Sequence, residues 1–171
     1  MIEHVPVVPG VLGPAQFDAE QFDVDQLADI VLGGHVRLTL RSKKTEARRT
    51  YEVLAEPVKD DQRSVHMVRT LYGSNNSADY VRLGLIFERR YYYNGATFKY
   101  PWGGTPDEDS VAHKAFQYFW SNLMQQRVPP QLEVFLARQC IDCNLWLTVP
   151  ESIIAGRGPT CAARASRGGT R

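Results

Sequence analysis

The chain has 171 residues, 43% hydrophobic and 23% charged, with a formal net charge of +1. That length suits one domain with a small appended module, and it can bury a core without metal or disulfides. Bulk charge argues neither for nor against nucleic acid, no apolar run approaches the roughly 20 residues of a membrane span, and the N-terminus Met1-Ile-Glu-His-Val-Pro6 lacks the pattern of a secretory leader.

Residues 1–16 are rich in Val, Pro and Gly and read as extended. Residues 17–29 then carry Asp18, Glu20, Asp23, Asp25 and Asp29 with no cation. Asp23 or Asp25 can cap a short helix to Leu32, with Leu27, Ile30 and Val31 inward and Gly33-Gly34 as its stop. Val36, Leu38 and Leu40 alternate with Arg37, Thr39 and Arg41, which predicts a half-buried strand with a basic outer face. Ser42 to Arg48 is a polar turn. Tyr51, Val53 and Ala55 alternate again up to Pro57. The pair reads as a hairpin whose tip and outer side carry Arg37, Arg41, Lys43, Lys44, Arg48 and Arg49 against Glu46 alone.

Ser64–Tyr72 and Tyr80–Phe87 read as strands around a turn-rich loop, Gly73–Asp79. Tyr91–Tyr93, Asn94-Gly95 and Ala96–Tyr100 predict a hairpin, because Asn-Gly supplies the positive φ angles of a type I′ turn. In it Tyr91 faces inward beside Phe98, and Tyr92 faces outward with Arg90 and Thr97. The strongest helix signal spans 106–127. Thr105-Pro106-Asp107-Glu108 has the capping-box pattern, and Ala112, Phe116, Phe119, Trp120 and Leu123 fall on one face. Val128-Pro129-Pro130 ends it, and Leu132–Leu136 is a short strand.

All three cysteines follow: Cys140-Ile-Asp-Cys143, then seventeen residues, then Cys161 after Gly156-Arg-Gly158-Pro159-Thr160. C-x-x-C puts two thiolates on one tight turn, as a zinc knuckle requires, and the Gly-rich run delivers a third. Leu145–Leu147 would start a hairpin turned near Pro150, and Ala162–Ala165 would form a terminal helix. Tetrahedral zinc takes four ligands. The fourth is left open among His113 on the helix, His66, His4, His35, Asp142 and water. Three cysteines without a leader fit a reducing compartment and metal binding better than a disulfide set.

The string Cys140-Ile-Asp-Cys143-Asn-Leu-Trp-Leu147-Thr148-Val-Pro150-Glu151-Ser152, continued by Gly156-Arg-Gly158-Pro159-Thr-Cys161, resembles a zinc-finger-like domain of unknown function found in phage, plasmid and actinobacterial proteins. Asp79-Tyr80, Leu83-Gly84 and the Phe116–Trp120 helix resemble the region preceding it. The resemblance implies a metal site and a mobile-element origin, and no established activity.

The expected architecture is α+β, a mainly antiparallel sheet packed on one main helix. The divisions are 1–34 (extended segment and acidic helix), 35–136 (sheet and helix), 137–165 (a treble-clef or ribbon-like zinc module) and 166–171 (a flexible basic tail). There is no Gly-x-Ser-x-Gly, no phosphate-binding Gly-Lys-Ser/Thr loop and no His-Glu-x-x-His. The expectation is a non-enzymatic, zinc-binding, cytoplasmic accessory protein of a bacterial mobile element, without a small-molecule substrate. Its partner is nucleic acid, through Arg37, Arg41, Lys43, Lys44, Arg48, Arg49, Arg90 and Tyr92. The alternative is an inhibitor of a host restriction or CRISPR complex (an anti-CRISPR), acting through Asp18, Asp23 and Asp25.

Overall fold

The computed structural model describes residues 16–17, 23–57, 64–94 and 107–168. The elements are β1 (Gln16–Phe17), α1 (Val24–Leu32), β2 (His35–Ser42), β3 (Arg48–Pro57), β4 (Ser64–Leu71), β5 (Tyr80–Phe87), β6 (Arg90–Tyr93), α2 (Val111–Met124), β7 (Leu132–Leu136), β8 (Arg138–Gln139), β9 (Trp146–Leu147), α3 (Pro150–Ala155) and α4 (Pro159–Gly168). The fold is α+β. One antiparallel sheet has the order β1-β7-β2-β3-β4-β5-β6, and β8 pairs with β9 apart from it.

Helices α1 and α2 build the main core with one face of the sheet. Asp23 caps α1 by accepting from the Asp25 N–H, and Leu27 and Val31 point inward as expected. Helix α2 presents Phe116, Phe119, Trp120 and Leu123 to Leu38, Tyr51, Val53, Val68 and Ile86. Each fully buried side chain of this kind stabilises by about 1.5–3 kcal/mol. The Tyr51 hydroxyl donates to the Ala112 carbonyl at 2.8 Å, and Trp120 Nε1 donates to the Arg89 carbonyl at 2.9 Å. The buried aromatic bodies therefore keep their polar ends satisfied. Ala55, expected inward, is exposed.

Helix α2 starts later than its sequence pattern suggests. Ser110 is the cap, accepting from the His113 N–H, and Asp107 and Glu108 lie before the first turn. Thr105 and Pro106 lie outside the described residues. So do Gly95–Tyr100, and with them the Asn-Gly hairpin and the Tyr91–Phe98 pairing. A different two-residue turn, Glu88-Arg89, joins β5 to β6 with φ of 49° and 61°. Neither residue is Asn or Gly, so composition gave no warning of it.

Tyr91 and Tyr92 point to opposite faces as expected. Tyr91 packs on Phe116, with ring centroids 5.0 Å apart, and Tyr92 is exposed. Gly84 makes room for it: a Cβ there would lie 2.5 Å from the Tyr91 ring.

The second face of the sheet departs most from expectation. Arg37 and Thr39 were to be its solvated side, yet both are buried. Glu52, also buried, accepts from Arg37 Nε at 2.9 Å and Arg69 Nη1 at 2.9 Å, and pairs with His35 Nε2 at 2.8 Å. An extra residue in β5, where Val68 pairs with Gly84 and Arg69 with Arg82, turns Tyr80 onto this face. The Arg37 guanidinium lies between the Tyr80 and Trp146 rings, at 4.9 and 4.5 Å from their centroids. Its Nη1 and Nη2 donate to the Asn76 and Ser77 carbonyls.

Two stability outcomes follow from these packings. Glu52→Ala strands buried guanidinium charge, so urea unfolding should show a loss of about 3–5 kcal/mol. Tyr91→Ala should lose about 2–3 kcal/mol as a partial core truncation, while Tyr92→Ala stays within about 0.5 kcal/mol of wild type.

Candidate metal centre

The cysteines sit on a small module rooted in the sheet. Strand β7 sends Val134 and Leu136 into the main core and Phe135 to the other side. There Phe135 joins Cys140, Leu147, Ile153 and Cys161 in a second cluster. The module's core thus begins before residue 137, where the sequence suggested a boundary.

Strands β8 and β9 bracket the knuckle, pairing Arg138 with Leu147 and Gln139 with Trp146. The Cys140 N–H donates to the Leu145 carbonyl at 2.8 Å, closing the turn that holds Cys143. Asn144 completes it at φ 58°, a left-handed conformation that Asn tolerates. The expected hairpin beyond Leu147 does not form. Leu147 instead pairs backward, and Pro150 opens α3, as its fixed φ favours. Gly156 ends α3 at φ 72°; a Cβ there would crowd Arg138, whose Nη2 donates to the Ile154 carbonyl. The Ile141 N–H meets the Gly156 carbonyl at 3.1 Å, and Arg157 pairs with Asp142 at 2.9 Å. Helix α4 then begins at Pro159, puts Cys161 in its first turn and runs to Gly168, past the expected start of the tail.

The three ligand sulfurs lie within 4.8 Å of one another, and all three are free thiols. A tetrahedron with Zn–S of about 2.3 Å has edges of about 3.8 Å, so this spacing suits a single ion. The electrostatics agree. The N–H groups of Gly158, Asp142 and Cys143 point at Cys140 and push its thiol down to about 6. Hydrogen bonds with Cys143 and Cys140, together with burial, push Cys161 up to about 11. Three sulfurs this close cannot all ionise cheaply, and a bound cation removes that conflict. The residues therefore fit a soft or borderline metal.

His113 is not the fourth ligand. It lies on α2, on the Leu38–Tyr51 face, whereas the module covers the Thr39–Thr50 face. Its Nδ1 is 3.1 Å from the Tyr91 hydroxyl. Burial lowers the imidazole and raises the phenol, so the phenol donates and the neutral ring accepts. His66 bonds the Leu32 carbonyl, His35 bonds Glu52 and Asp142 bonds Arg157. His4 lies outside the described residues. Among the described residues the cluster has three ligands.

The basic residues divide. Arg37 is enclosed, which takes it out of reach of a phosphate. Arg41 is held by Glu133 and Glu151, at 2.6 Å each, and lies over the Phe135 ring. Lys43, Lys44, Arg48 and Arg49 are exposed, and none is ion-paired to another described residue. Arg90 and Tyr92 are exposed but belong to β6, at the far edge and opposite end of the sheet, so the fold does not join them to the hairpin tip. Asp23 serves as the α1 cap, Asp25 is exposed and Asp18 lies outside the described residues. Glu52, Arg69 and Trp146 were not anticipated. A lone carboxylate between Tyr51 and Val53 was the available signal for the first.

A model of a family of unknown function (DUF6011) matches residues 132–166. The match takes in β7, the knuckle, α3 and most of α4, the same unit that the second cluster defines. No curated protein and no solved structure matches the chain. No described helix is long and apolar enough to cross a membrane.

The metal assignment has a direct check. Replacing Cys140, Cys143 or Cys161 by Ser should abolish stoichiometric metal binding in elemental analysis, whereas His113→Ala should keep it. Cys161 is still protonated at neutral pH and must lose its proton to bind, so affinity should rise with pH from 6 to 9. Calorimetry in buffers of different ionisation enthalpy should register proton release on loading.

Proposed function

We propose that this is a zinc-binding, non-enzymatic accessory protein of a mobile element that binds nucleic acid through the tip of the β2–β3 hairpin. The observation that carries the reading is the tip itself. Lys43, Lys44, Arg48 and Arg49 project there, with Glu46 as the one acid between Ser42 and Thr50. Such a group gives salt-sensitive attraction to phosphates by releasing counterions. Zinc is the metal of choice because cysteine thiolates on a knuckle are its usual structural donors, and it brings no redox chemistry. Its part is to fold the module. The described histidines, each engaged in a structural hydrogen bond, are consistent with a binding role. The mobile-element origin rests on the resemblance of the cysteine string.

Fluorescence anisotropy with labelled oligonucleotides, across a salt series, tests this reading. Wild-type protein carrying one zinc per chain should bind. The quadruple variant Lys43→Glu, Lys44→Glu, Arg48→Glu, Arg49→Glu should lower the slope of log K against log salt by about 3–4. Unchanged affinity and slope in that variant would remove the tip from the site. Retention of a host complex after nuclease treatment, with no oligonucleotide bound, would point to the inhibitor reading instead.

A further inference from the structure

The end of the sheet that carries the basic hairpin also carries an exposed aromatic side chain, Tyr72, directly after β4. Tyr72 is 57% exposed. Among the described tyrosines, Tyr51 and Tyr80 are buried and Tyr91 packs on the main core. Tyr92 is exposed too, but at the opposite end of the sheet.

The strand register places Tyr72. Tyr51 pairs with Thr70 across β3 and β4. Tyr72 lies two residues past Thr70 and Arg49 two residues before Tyr51, so both stand at the same end of the sheet. Arg49 pairs with Leu40 across β2, and Lys43 and Lys44 follow in the turn between β2 and β3.

The backbone beneath Tyr72 is fixed. Its N–H donates to the Asp79 carbonyl at 2.8 Å, the Asp79 carboxylate accepts from the Asn75 N–H at 2.8 Å, and Asn75 Oδ1 accepts from the Ser77 N–H at 2.9 Å. That loop is anchored in turn, since Asn76 and Ser77 give their carbonyls to buried Arg37. An exposed ring on a fixed root, at the sheet end that also carries four exposed cations, suits an unstacked base whose neighbouring phosphates meet those cations.

We infer that Tyr72 is a base-stacking residue and that Tyr72 with Arg49 makes this end of the sheet a platform for single-stranded nucleic acid. The inference rests on the nucleic-acid reading of the hairpin tip and narrows it. Duplex bases are already stacked and offer an exposed ring nothing to cover, whereas a single strand does.

The test uses the zinc-loaded full chain with fluorescein-labelled dT20 and a dA20·dT20 duplex of equal length, at several salt concentrations. Wild type should bind dT20 more tightly than the duplex. Tyr72→Ala should weaken dT20 on the order of tenfold while leaving duplex affinity and the dT20 salt slope unchanged. Tyr72→Phe, which keeps the ring face, should bind like wild type. Wild-type affinity of Tyr72→Ala for dT20, or tighter binding of the duplex than of dT20 by wild type, overturns the single-strand inference and leaves the hairpin reading standing. Failure of wild type to bind either probe overturns both.

Discussion

The second face of the sheet is organised around one buried carboxylate. Glu52 has a side chain 3% exposed and collects Arg37, Arg69 and His35. A charge so enclosed costs several kcal/mol in lost hydration unless paired and hydrogen-bonded. Arg37 meets that need but creates another, because its own guanidinium must be covered and satisfied. The Tyr80 and Trp146 rings lie against it, and the Asn76 and Ser77 carbonyls accept from Nη1 and Nη2. One acid in β3 thereby fixes the β4–β5 loop, requires the bulge that turns Tyr80, and needs Trp146 from the C-terminal module. The sheet is covered on both sides: by helices across an apolar core on one, and by the cysteine module across a polar layer on the other.

Attachment of the module follows the same logic. Its anchors are Thr39 Oγ1 donating to the Thr148 carbonyl at 3.0 Å, Arg41 bridging Glu133 and Glu151, and Asn76 Nδ2 donating to the Trp146 carbonyl at 3.1 Å. Thr39 has one hydroxyl proton, so Thr50 must donate in the 2.8 Å contact between their hydroxyls. Phe135, Leu147 and Ile153 are a thin apolar core for such a unit. A bound ion would tie the end of β8, the knuckle and the first turn of α4 into one body, and its binding free energy would be folding free energy for the module. Because Trp146 and Thr148 belong to that module, a bound metal would be coupled to the burial of Arg37 in the sheet.

Much of the fold was legible where one force decided the outcome. The Asp23 cap, the Gly33-Gly34 stop, the bounds of β5 and β7 and the apolar face of α2 all came from local patterns. So did the grouping of Cys140, Cys143 and Cys161. The misses share a cause. Alternation in Val36–Arg41 separates two faces but cannot say that a unit a hundred residues later will cover the polar one. The bulge in β5 has no composition signal, and Glu88-Arg89 adopts a turn normally given to Asn-Gly because the flanking strands and the Trp120 bond hold it. His113 looked available at the edge of a helix stripe; only the packing of β6 on α2 shows that Tyr91 occupies it.

The division of the cations between residues 36 and 49 follows from that second layer. Arg37 and Arg41 are arginines where planar groups must stack on rings and reach two acceptors at once, geometry that lysine cannot supply. Both charges are paired internally, with Glu52 for one and with Glu133 and Glu151 for the other. Lysines appear only in the turn, where a hydrated point charge is sufficient. The effect is to confine positive potential to the distal end of the hairpin. A continuous basic strip along β2 would bind any polyanion along its length. A compact group of four cations at a strand end, with the flanking arginines already paired, presents a bounded positive contact instead.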